Sequence, residues 1–191
     1  MIMEEKQLVN KVLKGDTSSF GYFVDTYQDM AITIAYRICN NMQDAEDIVQ
    51  NAFVKAFHNL HTFRQDSKFS TWFYRIVYNT AITETRTTVF QTEVVDYKNL
   101  EVNSSFSDTD TLDMIDEKER SQILAQAMAK LPKDESLLLT LFYLEENSVK
   151  DIFLITGLSE SNIKVKLHRA RSHLRDILNS MTEYKSLMYR N

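Results

Sequence analysis

Apolar residues recur along most of this chain at steps of three and four, the spacing of a helix with one buried face. In the first half, this spacing predicts four helices, over about 4–14, 18–40, 44–60 and 70–86. Asp44 is the predicted N-cap of the third helix, and Ser70 or Thr71 that of the fourth, because their side chains can accept bonds from free backbone N–H groups. The first half is therefore expected to be a small helical bundle.

The second half predicts four more helices, of which the last two lie within 148–178. One helix precedes Pro132 and another follows it. Ser148 and Asp151, three residues apart, form a capping-box pattern, and Gly157 is suited to the left-handed position that ends a helix. Ser159 is the predicted cap of a longer helix after a turn of three residues. A short helix, a glycine-containing turn and a longer helix are typical of a helix-turn-helix.

Residues 87–116 separate these halves and show no sustained helical period. They contain seven acidic residues and one basic residue, and they are rich in Ser, Thr, Asp and Asn, as in segments that do not bury a core. The net charge of the whole chain is −5, and this segment alone contributes −6. We expect a flexible acidic linker between two parts that are together close to neutral.

Composition supports an all-α fold, because the chain has only three glycines and one proline. Sheet-rich folds need turn residues in larger number, and phosphate-binding loops need closely spaced glycines. The expected organisation is two small helical domains: a first domain over 1–86, the linker over 87–116, a second domain over 117–179 and a C-terminal tail over 180–191.

The last long helix has the charge pattern of a DNA-recognition helix. Between 162 and 175 it has five basic residues and no acidic residue, opposite an apolar stripe. Phosphates would supply affinity, and the leading residues of the helix could reach base edges in the major groove. The alternative is an ordinary solvated face. The predicted DNA-binding residues are Ser159, Glu160, Ser161, Asn162, Lys164, Val165, Lys166, His168, Arg169, Arg171 and Arg175.

Two segments together resemble a known family. DAEDIVQNAFVKAFHNL (44–60) followed by FSTWFYRIVYNTAITETR (69–86) resembles region 2 of extracytoplasmic-function (ECF) RNA polymerase sigma factors, of the sigma-70 family. The segment 131–178 resembles region 4 of the same family. The order of the segments, the linker and the total length also match. The resemblance implies a non-catalytic factor that binds core RNA polymerase and directs promoter-specific transcription initiation.

The resemblance also implies roles for individual residues. The third helix would dock on the clamp helices of the large polymerase subunit, and region 4 would meet the flap of the other large subunit while binding the −35 element. Docking residues would be Asp44, Glu46, Asp47, Gln50, Asn51 and Phe53. Residues that bind and melt the −10 element would be Phe63, Arg64, Lys68, Phe69, Trp72, Arg75, Tyr78, Asn79, Thr83 and Arg86. For Trp72, a place in the core is the alternative, as it is for Phe73.

The chain departs from the family pattern at two positions. Family members commonly have an acidic residue and then a basic cluster after the position of Asn79, whereas here Arg86 is the only cation within 81–93. Phe153 also replaces the alanine of the usual Glu-Ile-Ala in the first helix of the helix-turn-helix. Weaker binding of the −10 element, and help from an additional recruiting protein, would fit these departures.

Other classes of function find little support in the sequence. His58 and His61 lack a third ligand, so no metal site is expected. No cofactor and no catalytic residue are expected either. Cys39 lies in an apolar run and is expected to be a buried, inert thiol. No signal peptide or membrane-spanning run is evident, which predicts a cytoplasmic protein without membrane insertion. The family implies an anti-sigma factor as a partner. The alternatives are a stand-alone helix-turn-helix regulator without polymerase docking, and a recruitment adaptor with weakened promoter reading.

Overall fold

In a computed structural model, the described residues are 2–85 and 117–188, and every regular element among them is helical. Side chains are described for 5–85 and 120–181. The linker, Arg86 and the last three residues of the tail lie outside these ranges. The helices are α1 (Ile2–Leu13), α2 (Gly21–Cys39), α3 (Met42–Asn59), α4 (Phe69–Glu84), α5 (Glu117–Lys130), α6 (Lys133–Leu139), α7 (Val149–Thr156) and α8 (Glu160–Met188). The predicted all-α fold is confirmed.

Helices α1–α4 form an N-terminal bundle with an aromatic core. The ring of Phe23 on α2 lies 4.1 Å from that of Phe69, and Phe53 on α3 stacks on Phe73 at 4.4 Å. These four side chains are at most 9 % exposed. Short 3₁₀ turns at Thr17–Phe20 and Leu60–Thr62 adjoin the N-terminus of α2 and the C-terminus of α3. The bundle therefore presents the polar sides of α3 and α4 to solvent.

Two predicted helix caps in this bundle are wrong. Asn40, in the left-handed conformation, ends α2, and the side chain of Asn41 accepts the backbone N–H of Gln43 at 2.9 Å. The cap of α3 is therefore three residues earlier than expected, the helix begins at Met42, and Asp44 lies in its first turn. Helix α4 begins at Phe69 without a side-chain cap, so Ser70 and Thr71 lie inside the helix, where both are buried.

Helices α5–α8 form a C-terminal bundle that contains the predicted helix-turn-helix. The Ser148 hydroxyl accepts the backbone N–H of Asp151 at 3.2 Å, and the Asp151 carboxylate accepts that of Ser148 at 3.1 Å. Gly157 ends α7 with a φ of 75°, and Ser159 accepts the backbone N–H of Asn162 at the start of α8. Both the capping box and the turn are confirmed. Helix α8 extends to Met188, into the segment expected to be a tail.

The two bundles are packed against each other, which the sequence did not predict. Helix α4 lies on α7, α2 lies on α6, and one continuous hydrophobic core includes residues of both bundles. A single π-helical turn, Thr140–Leu144, directly follows α6. The predicted recognition helix α8 therefore lies next to the N-terminal bundle through α6 and α7.

Candidate nucleic-acid interface

The predicted DNA-binding face of α8 is open to solvent. Ile163, Leu167 and Ala170 are at most 2 % exposed and anchor α8 in the core of the C-terminal bundle. Their burial turns the opposite side of the helix outward. Ser159, Glu160, Ser161, Lys164, His168, Arg169 and Arg175 are exposed there, and Asn162, Val165, Lys166 and Arg171 are partly exposed. Every residue predicted on this face is therefore accessible to some degree.

The cations of α8 differ in their surroundings. The Lys166 ammonium lies 2.5 Å from the Asp134 carboxylate on α6, and the Arg171 guanidinium donates to the Tyr143 hydroxyl at 3.4 Å. Lys164, by contrast, has no ion pair with any residue in the described parts of the chain. The sequence predicted DNA contacts for all of these cations. The fold, however, engages Lys166 and Arg171 in contacts within the C-terminal bundle.

A groove of about 410 Å³ lies between α3 and α4 on the N-terminal bundle. Four predicted −10 residues meet there: Trp72, Arg75, Asn79 and Thr83. Five further residues that the prediction did not include also line the groove. Ile76 and Thr80 lie on α4, Lys55 and Asn59 lie on α3, and Thr62 follows α3. The spacing of Lys55, Asn59 and Thr62, at steps of four and three, was the signal in the sequence that could have found them.

The aromatic residues predicted to contact DNA fall into two groups. Phe63 and Trp72 are partly exposed, with ring centroids 5.2 Å apart. Phe69 is 1 % exposed and belongs to the core, and Tyr78 is 6 % exposed at the junction with the C-terminal bundle. Burial raises the pKa of Tyr78 to about 12. In this arrangement, neither Phe69 nor Tyr78 is a surface platform, which corrects the expectation for both.

The remaining predicted −10 residues are exposed. Arg64 and Lys68 lie in or next to the loop before α4, and both are open to solvent. Arg86 lies outside the described residues. The groove and this loop together therefore present cations, an amide and two aromatic rings on one part of the bundle.

Helix α3 presents the predicted docking residues with one exception. Asp44, Glu46, Asp47, Gln50 and Asn51 are exposed, and the Asn51 amide donates to the Glu84 carboxylate at 3.3 Å. Phe53 lies on the side of α3 that packs in the core, where its ring stacks on that of Phe73. It is therefore buried and not a surface residue. The sequence analysis missed Val54, which is 56 % exposed. Its place outside the apolar stripe of the helix was the available signal.

Two further expectations, for Phe153 and Cys39, have direct structural outcomes. Phe153 is 42 % exposed on α7, so the aromatic ring that replaces alanine is presented to solvent. Cys39 is half-buried and its thiol donates to the Asn41 carbonyl, so it is less enclosed than expected. His61 contacts the His58 carbonyl at 3.1 Å, and no group of three potential metal ligands occurs among the described residues.

The described helices define an all-α protein with an exposed helix-turn-helix on one bundle and a polar groove on the other. Residues 23–89 match the family model of sigma-70 region 2, and residues 121–174 match that of sigma-70 region 4. The ECF RNA polymerase sigma factor SigW of Bacillus subtilis strain 168 is 33 % identical over 187 residues, which is 95 % of this chain and all of that protein. The ECF RNA polymerase sigma-E factor of Escherichia coli K12 is 29 % identical over 175 residues, covering 88 % and 91 % of the two chains.

Solved structures show the same fold. CnrH, in complex with the cytosolic domain of CnrY, matches with a TM-score of 0.62 at 21 % identity, over 91 % of this chain and 96 % of that one. The sigma factor RpoE of Bartonella quintana, solved with the anti-sigma factor NepR, matches with a TM-score of 0.60 at 21 % identity, over 84 % and 96 %.

The chain belongs to the sigma-70 family and, within it, to the ECF RNA polymerase sigma factors. It is a sigma factor that directs promoter-specific transcription initiation. Among the described helices, none combines the length and the hydropathy that crossing a bilayer requires.

Proposed function

We propose that the two bundles bind different promoter elements, and that α8 binds the −35 element. The carrying observation is that the leading residues of α8 are exposed or partly exposed, opposite a stripe of buried residues. Glu160, Ser161, Asn162 and Val165 would contact base edges, because the first turns of a recognition helix enter the major groove. Lys164, His168, Arg169, Arg171 and Arg175 would contact phosphates and position the helix.

The groove between α3 and α4 would bind the −10 element in single-stranded form. A base that leaves the duplex needs an aromatic surface for stacking and polar groups for its edge. Phe63 and Trp72 supply the aromatic surface, Asn79 and Thr83 supply the polar groups, and Arg75 supplies positive charge for the backbone. Lys55 and Asn59 on the α3 wall would join this set. The groove volume of about 410 Å³ is large enough for a nucleobase to enter.

The exposed side of α3 would dock on core polymerase. Asp44, Glu46 and Asp47 place three carboxylates on this surface, and Val54 adds an exposed apolar side chain farther along the same helix. A surface with charge at its edge and an apolar anchor is typical of a specific protein interface. We assign it to the clamp helices of the large subunit, and we assign the C-terminal bundle to the flap of the other large subunit.

An anti-sigma factor is the further partner that we propose. The two solved relatives above were determined with CnrY and with the anti-sigma factor NepR, respectively. A partner of this class would hold the factor inactive until a signal releases it. The chain itself would be a non-catalytic subunit that acts in the cytoplasm, where polymerase and chromosome meet.

Run-off transcription with purified core polymerase tests the proposal. The wild-type chain should produce a promoter-dependent transcript, and the variant with Lys164, Arg169 and Arg171 all changed to Ala should lose it while still binding core polymerase. A variant with Lys6 and Lys11 of α1 and Lys14 just after it changed to Ala removes three exposed cations elsewhere and should retain the transcript. DNA binding without association with core polymerase would indicate a stand-alone regulator. Full activity of the α8 variant would indicate a recruitment adaptor.

A further inference from the structure

One carboxylate contacts both of the surfaces that the proposed function assigns to the N-terminal bundle. Glu84, the last residue of α4, lies 3.7 Å from the Lys55 ammonium. It also accepts hydrogen bonds from the Asn51 amide, at 3.3 and 3.4 Å to its two oxygens. Lys55 lines the groove proposed for the −10 element, whereas Asn51 belongs to the proposed docking side of α3. Glu84 therefore joins one residue of each surface.

The spacing of the residues along two helices brings these side chains together. Asn51 and Lys55 are four residues apart on α3, so they lie one turn apart on the same side of that helix. Thr80 and Glu84 have the same spacing on α4. Because α3 and α4 pack against each other, the two pairs meet across the contact between the helices.

Lys55 is held between two acceptors on α4. Its ammonium donates to the Thr80 hydroxyl at 3.2 Å, and the Glu84 carboxylate lies on it as an ion pair. Thr80 is 3 % exposed, so its hydroxyl anchors the ammonium at the wall of the groove. The side chains of Lys55 and Glu84 are 49 % and 34 % exposed, so their pair can open without unfolding of the bundle.

This pair reduces the positive charge that the groove offers to DNA. Among the described residues that line the groove, the cations are Lys55 and Arg75. Arg75 is exposed, whereas Lys55 faces a carboxylate. A phosphate that approaches Lys55 must compete with Glu84 for the ammonium. Glu84 therefore opposes binding of a nucleic-acid backbone at the α3 wall.

The same carboxylate borders the surface proposed to bind core polymerase. Asp44, Glu46 and Asp47 are exposed on α3, and no basic residue occurs between positions 41 and 54. A partner with complementary charge is therefore cationic at this surface. Glu84 adjoins the surface through its hydrogen bonds from Asn51. A cation of the partner at this edge would attract the carboxylate away from the groove.

We propose that Glu84 is a positioning residue, which holds Lys55 away from the −10 strand in the free factor and releases it when the factor docks on core polymerase. This proposal rests on the proposed function, which assigns the groove to the −10 element and α3 to the polymerase. The two binding events are coupled, because each favours the state in which Lys55 and Glu84 are apart. For an exposed ion pair, the expected coupling is about two- to fivefold.

Binding of a labelled single-stranded −10 oligonucleotide to the free factor tests the hold on Lys55. Glu84→Gln keeps the size of the side chain and removes its charge, and it should raise the affinity about two- to fivefold at low salt, where exposed pairs are least screened. Asp25→Asn makes the same change of charge at an exposed position of α2 and should leave the affinity unchanged. An affinity of Glu84→Gln equal to or below that of the wild type would overturn the proposal.

A Lys55→Ala background separates release of Lys55 from general repulsion of DNA. There, Glu84→Gln should change the affinity by less than about 1.5-fold, because the ammonium that the substitution frees is absent. An equal rise in both backgrounds would show that Glu84 only repels phosphates, and it would overturn the positioning role.

Saturating core polymerase tests the release. Holoenzymes formed with the wild type and with Glu84→Gln should bind the oligonucleotide equally, because docking has already separated Lys55 from Glu84 in the wild type. A difference as large as that between the free factors would overturn release by docking. Failure of the wild type to bind core polymerase would instead count against the docking assignment of the proposed function.

Asn79→Ala distinguishes failure of this proposal from failure of the groove assignment. If Asn79→Ala binds the oligonucleotide like the wild type, the groove is not the −10 site, and the role of Glu84 falls with the proposed function. If Asn79→Ala weakens binding and Glu84→Gln does not strengthen it, the groove assignment stands and only the role of Glu84 is overturned.

Discussion

The Lys166 ammonium of α8 and the Asp134 carboxylate of α6 lie 2.5 Å apart, with side chains 31 % and 20 % exposed. The pair joins the recognition helix to the helix behind it. Because Lys166 is held by a carboxylate and partly shielded, it contributes to the stability of the C-terminal bundle, and it is less available to a phosphate than Lys164.

We therefore expect Lys166→Ala to affect the stability of the fold and Lys164→Ala to affect DNA binding. Lys166→Ala should lower the free energy of unfolding by about 1–2 kcal/mol, as expected for a partly shielded charged hydrogen bond. Lys164→Ala should leave stability unchanged and reduce the salt dependence of −35 binding by about one counterion. Thermal unfolding and DNA titrations at several salt concentrations measure the two effects. The double variant Lys166→Ala/Asp134→Ala should be no less stable than Lys166→Ala, and an additive loss would argue against the pair.

Val54 and Phe53 are neighbours on α3, and we expect opposite consequences of changing them. Val54→Ala should weaken binding to core polymerase by about 10-fold, because about two buried methyl groups are lost at the interface. Phe53→Ala should destabilise the N-terminal bundle by about 3–5 kcal/mol, because it leaves a cavity under Phe73. Competition binding to core polymerase and thermal unfolding separate the outcomes. Leu13→Ala on α1, also at an exposed apolar position, is the control. Unchanged polymerase binding by Val54→Ala would remove this residue from the docking surface.

The groove predicts a role for the α3 wall in −10 binding. Asn79→Ala and Lys55→Ala should each weaken binding of a single-stranded −10 oligonucleotide by about 5- to 150-fold, since one base contact contributes about 1–3 kcal/mol. Asn10→Ala, an exposed asparagine on α1, should have no effect. Fluorescence anisotropy with a labelled single-stranded −10 oligonucleotide measures these affinities. If Lys55→Ala binds like the wild type while Asn79→Ala does not, the contact surface is restricted to α4.

We expect Glu145 to make the packing of the two bundles sensitive to pH. Burial raises the pKa of this carboxyl, and the hydrogen bond from Tyr74 and the charge of Lys68 offset part of the rise. Tyr27 also faces Glu145, and burial raises the pKa of both tyrosines, which remain neutral in the range concerned.

A raised pKa in the packed state means that the stabilising contribution is fully present below the ordinary value of 4.5 and is lost as pH rises through the raised value. The bundles should therefore separate more readily as pH rises over this window. Glu145→Gln should remove this dependence, which thermal unfolding of the wild type and the variant over a range of pH measures. An identical profile in Glu145→Gln would assign the dependence to another group.

The sequence by itself determined the local structure of the functional helices. The capping box at Ser148 and Asp151, the helix end at Gly157 and the stripe through Ile163 and Leu167 depend on residues a few positions apart, so their pattern is visible in the chain. These same features fixed which side of α8 faces solvent. The acidic side of α3 was found for the same reason.

Tertiary packing decided which of the predicted site residues are accessible. Phe53, Phe69 and Tyr78 are aromatic, a residue type that is common at interfaces. Each of them is buried, however, because residues distant in sequence cover it. Lys166 is partly exposed, but it is likewise held by a distant partner, the Asp134 carboxylate 32 residues away. Periodicity assigns a residue to a face of its own helix, yet only the contacts between helices decide whether that face meets solvent, another helix or the second bundle. For that reason the sequence predicted two DNA-binding parts in this sigma factor, and only the structure shows that the two bundles pack against each other.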